Sequence, residues 1–74
     1  MTIKVYGKPA CPKCDMAKRF MGEREYEYID LSQDADSMAL VKSLGAREAP
    51  FIMDGDKVVG GYSALVDYFS SIED

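Results

Sequence analysis

The sequence contains no histidine and no tryptophan, and cysteine appears only twice in 74 residues. Without His the chain lacks the usual general base near neutral pH and the commonest metal ligand. That sets aside most hydrolytic mechanisms. Basic charge is also scarce: nine Lys and Arg stand against thirteen Asp and Glu, for a net charge of −4. The cations are scattered, with only Lys8 and Lys13, and the neighbours Lys18 and Arg19, falling near one another. Nucleic-acid binding leaves a basic footprint; none is present, and no nucleic-acid partner is expected. No apolar run approaches the roughly 20 residues that cross a bilayer. The start, Met1-Thr2-Ile3-Lys4-Val5-Tyr6, has neither the charged nor the long apolar region of a signal peptide. The expectation is a protein with no membrane association, resident in the cytoplasm. At this length one hydrophobic core is the norm, so residues 1–74 are expected to form a single domain.

Neither an internal repeat nor a linker interrupts the chain. Ile3-Lys4-Val5-Tyr6 alternates and is rich in β-branched and aromatic residues, as a strand should be. After a loop from Gly7 to Ala10, a helix should start near Cys11-Pro12, since Pro suits the first helical position. Its apolar residues Met16, Ala17, Phe20 and Met21 recur at three- and four-residue spacing, and Gly22 is a natural stop. Tyr26 to Asp30 reads as a second strand. Ser32 to Asp36 offers N-caps for a second helix carrying Met38, Val41 and Leu44, with Leu40 beside them, closed by Gly45. Pro50 to Met53 and Asp56 to Val59 flank Asp54-Gly55, a dipeptide favoured in hairpin turns. Gly60-Gly61 ends the last strand, and a third helix from about Ser63 aligns Leu65, Val66, Phe69 and Ile72. The order β-α-β-α-β-β-α implies an α/β protein. The first two strands should be parallel through a helical crossover and the last pair antiparallel, which makes a mixed four-stranded sheet.

Cys11-Pro12-Lys13-Cys14 holds both cysteines, and a C-x-x-C pair beside a βαβ pattern reads as a redox motif. A helix start presents unpaired N–H groups and about half a positive charge. A thiol there can ionise well below its ordinary value of about 8.5, in the range of roughly 3.5–7.5. Lys8 and Lys13 would act in the same direction. Residues three apart at a helix start can form a disulfide with little backbone movement. Cys11, at the open tip, is the expected nucleophile, and Cys14, one turn in and partly covered, the resolving thiol. Competing readings are weaker. A structural staple across so short a loop adds only about 2 kcal/mol, and a zinc site needs about four ligands that two cysteines without His cannot supply within one chain, which leaves open only a site shared in a dimer. No metal ligand set is therefore assigned. Pro50 opens a central strand although it cannot donate to the ladder; the residues alone leave its peptide bond open between cis and trans.

Taken together, Lys8-Pro9-Ala10-Cys11-Pro12-Lys13-Cys14, Leu44-Gly45-Ala46-Arg47-Glu48-Ala49-Pro50 and Gly60-Gly61-Tyr62 resemble the glutaredoxin family, most closely its NrdH-type redoxins. The resemblance covers nearly the whole chain. It implies a thioredoxin-like fold in which Pro50 is cis and faces the cysteines, and in which the backbone of Ala49 pairs with a substrate strand. It further implies contacts to partners from Lys8, Pro12, Lys13, Arg47, Gly61 and Tyr62. NrdH-type redoxins take electrons, ultimately from NADPH, through thioredoxin reductase and pass them to ribonucleotide reductase. Glutathione-using members commonly carry Tyr at the position of Lys13 and acids at the positions of Ser63-Ala64. NrdH-type tails commonly read Trp-Ser-Gly-Phe where this chain has Val59-Gly60-Gly61-Tyr62-Ser63. The implied protein is a monomeric dithiol–disulfide oxidoreductase with no bound cofactor beyond its own cysteine pair. A glutathione-recharged glutaredoxin is the first alternative and a non-catalytic iron–sulfur carrier dimer a remote one.

Overall fold

The computed structural model describes residues 2–73; Met1 and Asp74, which belong to the expected 1–74 domain, lie outside the described residues. The elements are β1 (Ile3–Gly7), α1 (Pro12–Met21), β2 (Glu27–Asp30), α2 (Ala35–Ser43), β3 (Phe51–Asp54), β4 (Lys57–Gly60) and α3 (Tyr62–Glu73). The sheet order is β2-β1-β3-β4. β1 runs parallel to β2 and antiparallel to β3, which pairs antiparallel with β4. This is the mixed sheet that the strand order implied, in a thioredoxin- and glutaredoxin-like arrangement.

Strand alternation divides the core in two. Ile3 and Val5 of β1 and Ile52 of β3 face α1 and α3, packing with Ala17, Met21, Leu65 and Phe69. Tyr6, Phe51 and Met53 point the other way and pack with Leu31 and Val41. Arg24 ties the first layer together at its edge. Its Nη1 donates to the Phe20 carbonyl at 2.6 Å, and its guanidinium lies 4.9 Å from the Phe20 ring and 5.0 Å from the Phe69 ring.

Several sequence expectations need correction. Met16, Leu40, Leu44 and Ile72, all placed on apolar stripes, are exposed, each 39–49% accessible. α1 buries Cys14, Ala17 and Met21, a face rotated away from Met16. α2 ends at Ser43, so Leu44 is its C-cap, not a member of its face, and only Val41 is buried there. The hairpin loop is Gly55-Asp56, because Asp54 pairs with Lys57. Gly55 takes φ +61 at the first loop position, where hairpin turns favour Gly. Asp54 is no solvated turn residue: it accepts the Thr2 N–H at 3.2 Å and the Tyr68 hydroxyl. β1 runs on to Gly7, β2 begins at Glu27, and α3 begins at Tyr62, one residue before the expected start.

Asp34 caps α2, as the run of candidates suggested. Its carboxylate accepts the Ser37 hydroxyl at 2.9 Å and the Ser37 N–H at 3.2 Å, and these bonds hold it below the usual carboxylate range. A carboxyl depressed by folding stabilises the fold above its unfolded value and loses that contribution as pH falls through the folded one. Acid unfolding of an Asp34→Asn variant should therefore show a shallower loss of stability below about pH 4 than the native chain. A second check concerns the core. Leu65→Ala should cost about 2–5 kcal/mol in urea unfolding, whereas Leu40→Ala should stay within about 0.5 kcal/mol of the parent.

Candidate active site

Sheet direction brings four chain segments to one end of the molecule. β1 and β2 finish there, β3 starts there because it is antiparallel to β1, and β4 returns there. The loop Lys8–Ala10 therefore leaves β1 beside Pro50, the residue before β3. Gly60-Gly61 closes the third side. Gly60 holds φ +126, and a Cβ on it would crowd Ala64, so the turn into α3 needs Gly.

The cysteines sit where the loop becomes α1. Ala10 takes a left-handed φ of +54, which costs a non-glycine residue about 1–2 kcal/mol and swings Cys11 into the N-cap position. Cys11 is extended (φ −121, ψ 102) with Pro12 at the first helical position. Pro12 has no N–H to offer, so the first turn's donors are the amides that follow it, and the Cys14 N–H donates to Cys11 Sγ at 3.2 Å. Cys11 and Cys14 are joined as a disulfide, with Cα atoms 5.2 Å apart. Cys11 Sγ also lies 3.9 Å from the Ala49 carbonyl oxygen. The Ala49–Pro50 peptide bond is cis, and Pro50 is fully buried.

Exposure ranks the two sulfurs in the expected order, but the open tip is less open than its place in the sequence implies. Cys11 is 7% accessible and Cys14 is 0%. A shallow cleft of about 430 Å³ over Cys11 is lined by Lys8, Ala10, Cys11, Pro12, Lys13, Glu48 and Ala49. A depression of about 310 Å³ on the α3 side is lined by Lys13, Glu48, Pro50, Gly61, Tyr62, Ser63 and Ala64. A narrower one of about 160 Å³ on the α2 side includes Lys8, Arg47, Glu48 and Ala49. Of the residues singled out in the sequence, Lys8, Pro12, Lys13 and Ala49 share the cleft with Cys11, Pro50, Gly61 and Tyr62 line the α3-side depression, and Arg47 lines only the α2-side hollow. Glu48 was missed, although it borders all three hollows; its only signal was its place between Arg47 and Ala49-Pro50. Lys18 is engaged elsewhere, 3.7 Å from Asp15 and 4.5 Å above the Tyr28 ring.

A cysteine pair at a helix start, on a thioredoxin-like sheet and beside a cis-proline, defines a thiol–disulfide oxidoreductase. The chain belongs to the glutaredoxin family, whose model, Glutaredoxin, matches residues 3–59. It is 31% identical to the hybrid peroxiredoxin hyPrx5 of Haemophilus influenzae over 93% of this chain, which spans only 30% of that protein's length. It is 30% identical to the glutaredoxin-like protein NrdH of Salmonella typhimurium, over 84% of this chain and 79% of the relative. In three dimensions it is similar to the NrdH-redoxin of Escherichia coli, with a TM-score of 0.80 at 24% identity, covering 92% of this chain and 93% of that one.

The helix-start geometry has a measurable consequence once the pair is reduced. Alkylation of the reduced protein should show one fast thiol, Cys11 by peptide mapping. Cys14 should stay unreactive through neutral pH. Equal reactivity of both sulfurs would contradict the asymmetry in burial and bonding.

Proposed function

We propose that this chain is a dithiol reductant of protein disulfides, with a ribonucleotide reductase as its target and a thioredoxin reductase as its source of NADPH-derived electrons. The observation that carries this reading is the Cys14 N–H aimed at Cys11 Sγ from the first turn of α1. A donor in that place favours the anion of Cys11, the form that attacks a disulfide.

The reaction then runs in two balanced exchanges. The Cys11 thiolate attacks one sulfur of the substrate disulfide, forming a mixed disulfide and releasing the other substrate sulfur as a thiolate. Cys14 loses its proton and attacks Cys11 Sγ. The Cys11–Cys14 disulfide forms, the second substrate sulfur leaves as a thiolate, and two electrons have passed to the substrate. Ala49, outside the strand ladders that begin at Phe51, offers its backbone to the substrate chain. Lys8, Pro12, Lys13, Arg47, Gly61 and Tyr62 form the surrounding contact surface.

The choice of electron source rests on two supports. The Escherichia coli NrdH-redoxin is described by a thioredoxin-like activity profile. The start of α3 carries Ser63-Ala64, which offer no carboxylate to the ammonium group of glutathione.

A coupled NADPH assay tests the whole reading. Turnover should be fast with thioredoxin reductase and slow with glutathione plus glutathione reductase; the reverse order would assign the chain to glutathione chemistry. Cys11→Ser should abolish turnover, and Cys14→Ser should accumulate a covalent adduct with the target protein, visible on a non-reducing gel. Full activity of the Cys11 variant would end the proposal.

A further inference from the structure

The α2-side hollow has a composition that attack by Cys11 does not require. Its floor is apolar, made by Leu31, Met38, Val41 and Ala46, and its rim carries Lys42 and Arg47 beside Lys8. These cations cluster in a chain of net charge −4, and none of the three is in an ion pair among the described residues. Glu48 is the one acid at this rim. The hollow holds about 160 Å³, several times the roughly 30 Å³ share of one liquid water, which suits one aliphatic side chain. It adjoins the cysteine cleft, with which it shares Lys8, Glu48 and Ala49.

We propose that this hollow seats an apolar side chain of the protein substrate, from a segment that carries a carboxylate next to that residue. The inference rests on the dithiol reading above and adds the substrate's local sequence to it. An extended segment advances about 3.3 Å per residue with side chains alternating between faces. A segment laid along Ala49 with its cysteine at Cys11 therefore reaches the hollow within one or two residues. The floor rewards removal of apolar area from water, and Met38 adapts to different side chains. The unpaired rim cations supply complementary charge, which raises encounter rates and selects among partners. A basic or small polar neighbour gains neither.

Two synthetic peptides with the same intramolecular disulfide test this, one with Leu-Glu beside a cysteine and one with Ser-Lys there. The full chain, reduced beforehand and freed of reductant, is mixed with each, and the second-order rates of peptide reduction are compared with those for oxidised glutathione and 2-hydroxyethyl disulfide. The Leu-Glu peptide should be reduced about tenfold faster than the Ser-Lys peptide at low salt. The ratio should shrink as salt rises but stay above one, because the apolar contact is not screened. In a Lys42→Glu, Arg47→Glu double variant, whose exposed positions leave the core untouched, the ratio should fall to about one or invert. Equal rates for the two peptides, oxidised glutathione outpacing the Leu-Glu peptide, or a ratio indifferent to the double variant would each overturn the docking proposal. Reduction of 2-hydroxyethyl disulfide in those cases leaves the dithiol reading standing, whereas failure to reduce any of the disulfides overturns both.

Discussion

The antiparallel register of β1 with β3 is the constraint on which the site depends. Tyr6 lies opposite Phe51, so the end of one strand and the start of the other share an end of the sheet. The Lys8–Ala10 loop and Pro50 are thereby neighbours across 40 to 42 positions of sequence. A slip of one residue would move Ile52 from the α1/α3 face to the α2 face and bring Phe51 and Met53 the other way. Because both faces are buried, that slip would misplace the core on both sides at once. The same register that satisfies the two cores fixes the distance from Cys11 Sγ to the Ala49 carbonyl. Stability and chemistry are set by one pairing.

Around the sulfur pair, opposing effects meet. Burial of Cys11 removes water that would stabilise an anion, which works against ionisation of the reduced thiol. The Cys14 amide and the start of α1 work for it, since they supply a fixed donor and the positive end of aligned peptide dipoles. The Ala49 carbonyl presents a partial negative charge to Sγ from the other side, and that contact favours a protonated sulfur or a disulfide. Lys8 and Lys13 line the same cleft as Cys11.

Much of this was legible in the sequence because it depended on local rules. Alternation in Ile3–Tyr6, Pro12 after Cys11, and Gly55 between two apolar runs each marked an element, and the element order then fixed the mixed sheet. What escaped was decided by non-local packing. The three-residue spacing of Met38, Val41 and Leu44 suggested a buried stripe, but a nine-residue α2 meets the sheet over one turn and buries only Val41. The helix ends before Leu44 can join its face. Ala10 carries no mark of its left-handed backbone, because Ala is unremarkable in any conformation until a neighbour such as Cys11 must be turned into a cap. The cis bond before Pro50 entered through family likeness, since proline alone permits both isomers. Glu48 stands in the Leu44–Pro50 run with no role assigned to it, and only the convergence of three hollows on it separates it from the other acids.

The two faces of the sheet are not equally anchored, and the difference aligns with the site. α1 and α3 are joined to the sheet by Ala17, Met21, Leu65 and Phe69, and to each other by the Phe20–Phe69 edge contact and the Arg24 clamp. α2 holds on through Val41, with Met38 half-buried beside it and Leu40 and Leu44 left in water. An element with few buried apolar contacts lies at the low end of the local stability range. The cysteine pair is thus built on the firmly held side, where the Cys14 amide must keep its place relative to Cys11. The hollow that adjoins the cleft over Cys11 is lined on its other flank by Met38, Val41 and Lys42 of the loosely held helix. Rigid chemistry and an adjustable rim are compatible here because β1 and β3 stand between them.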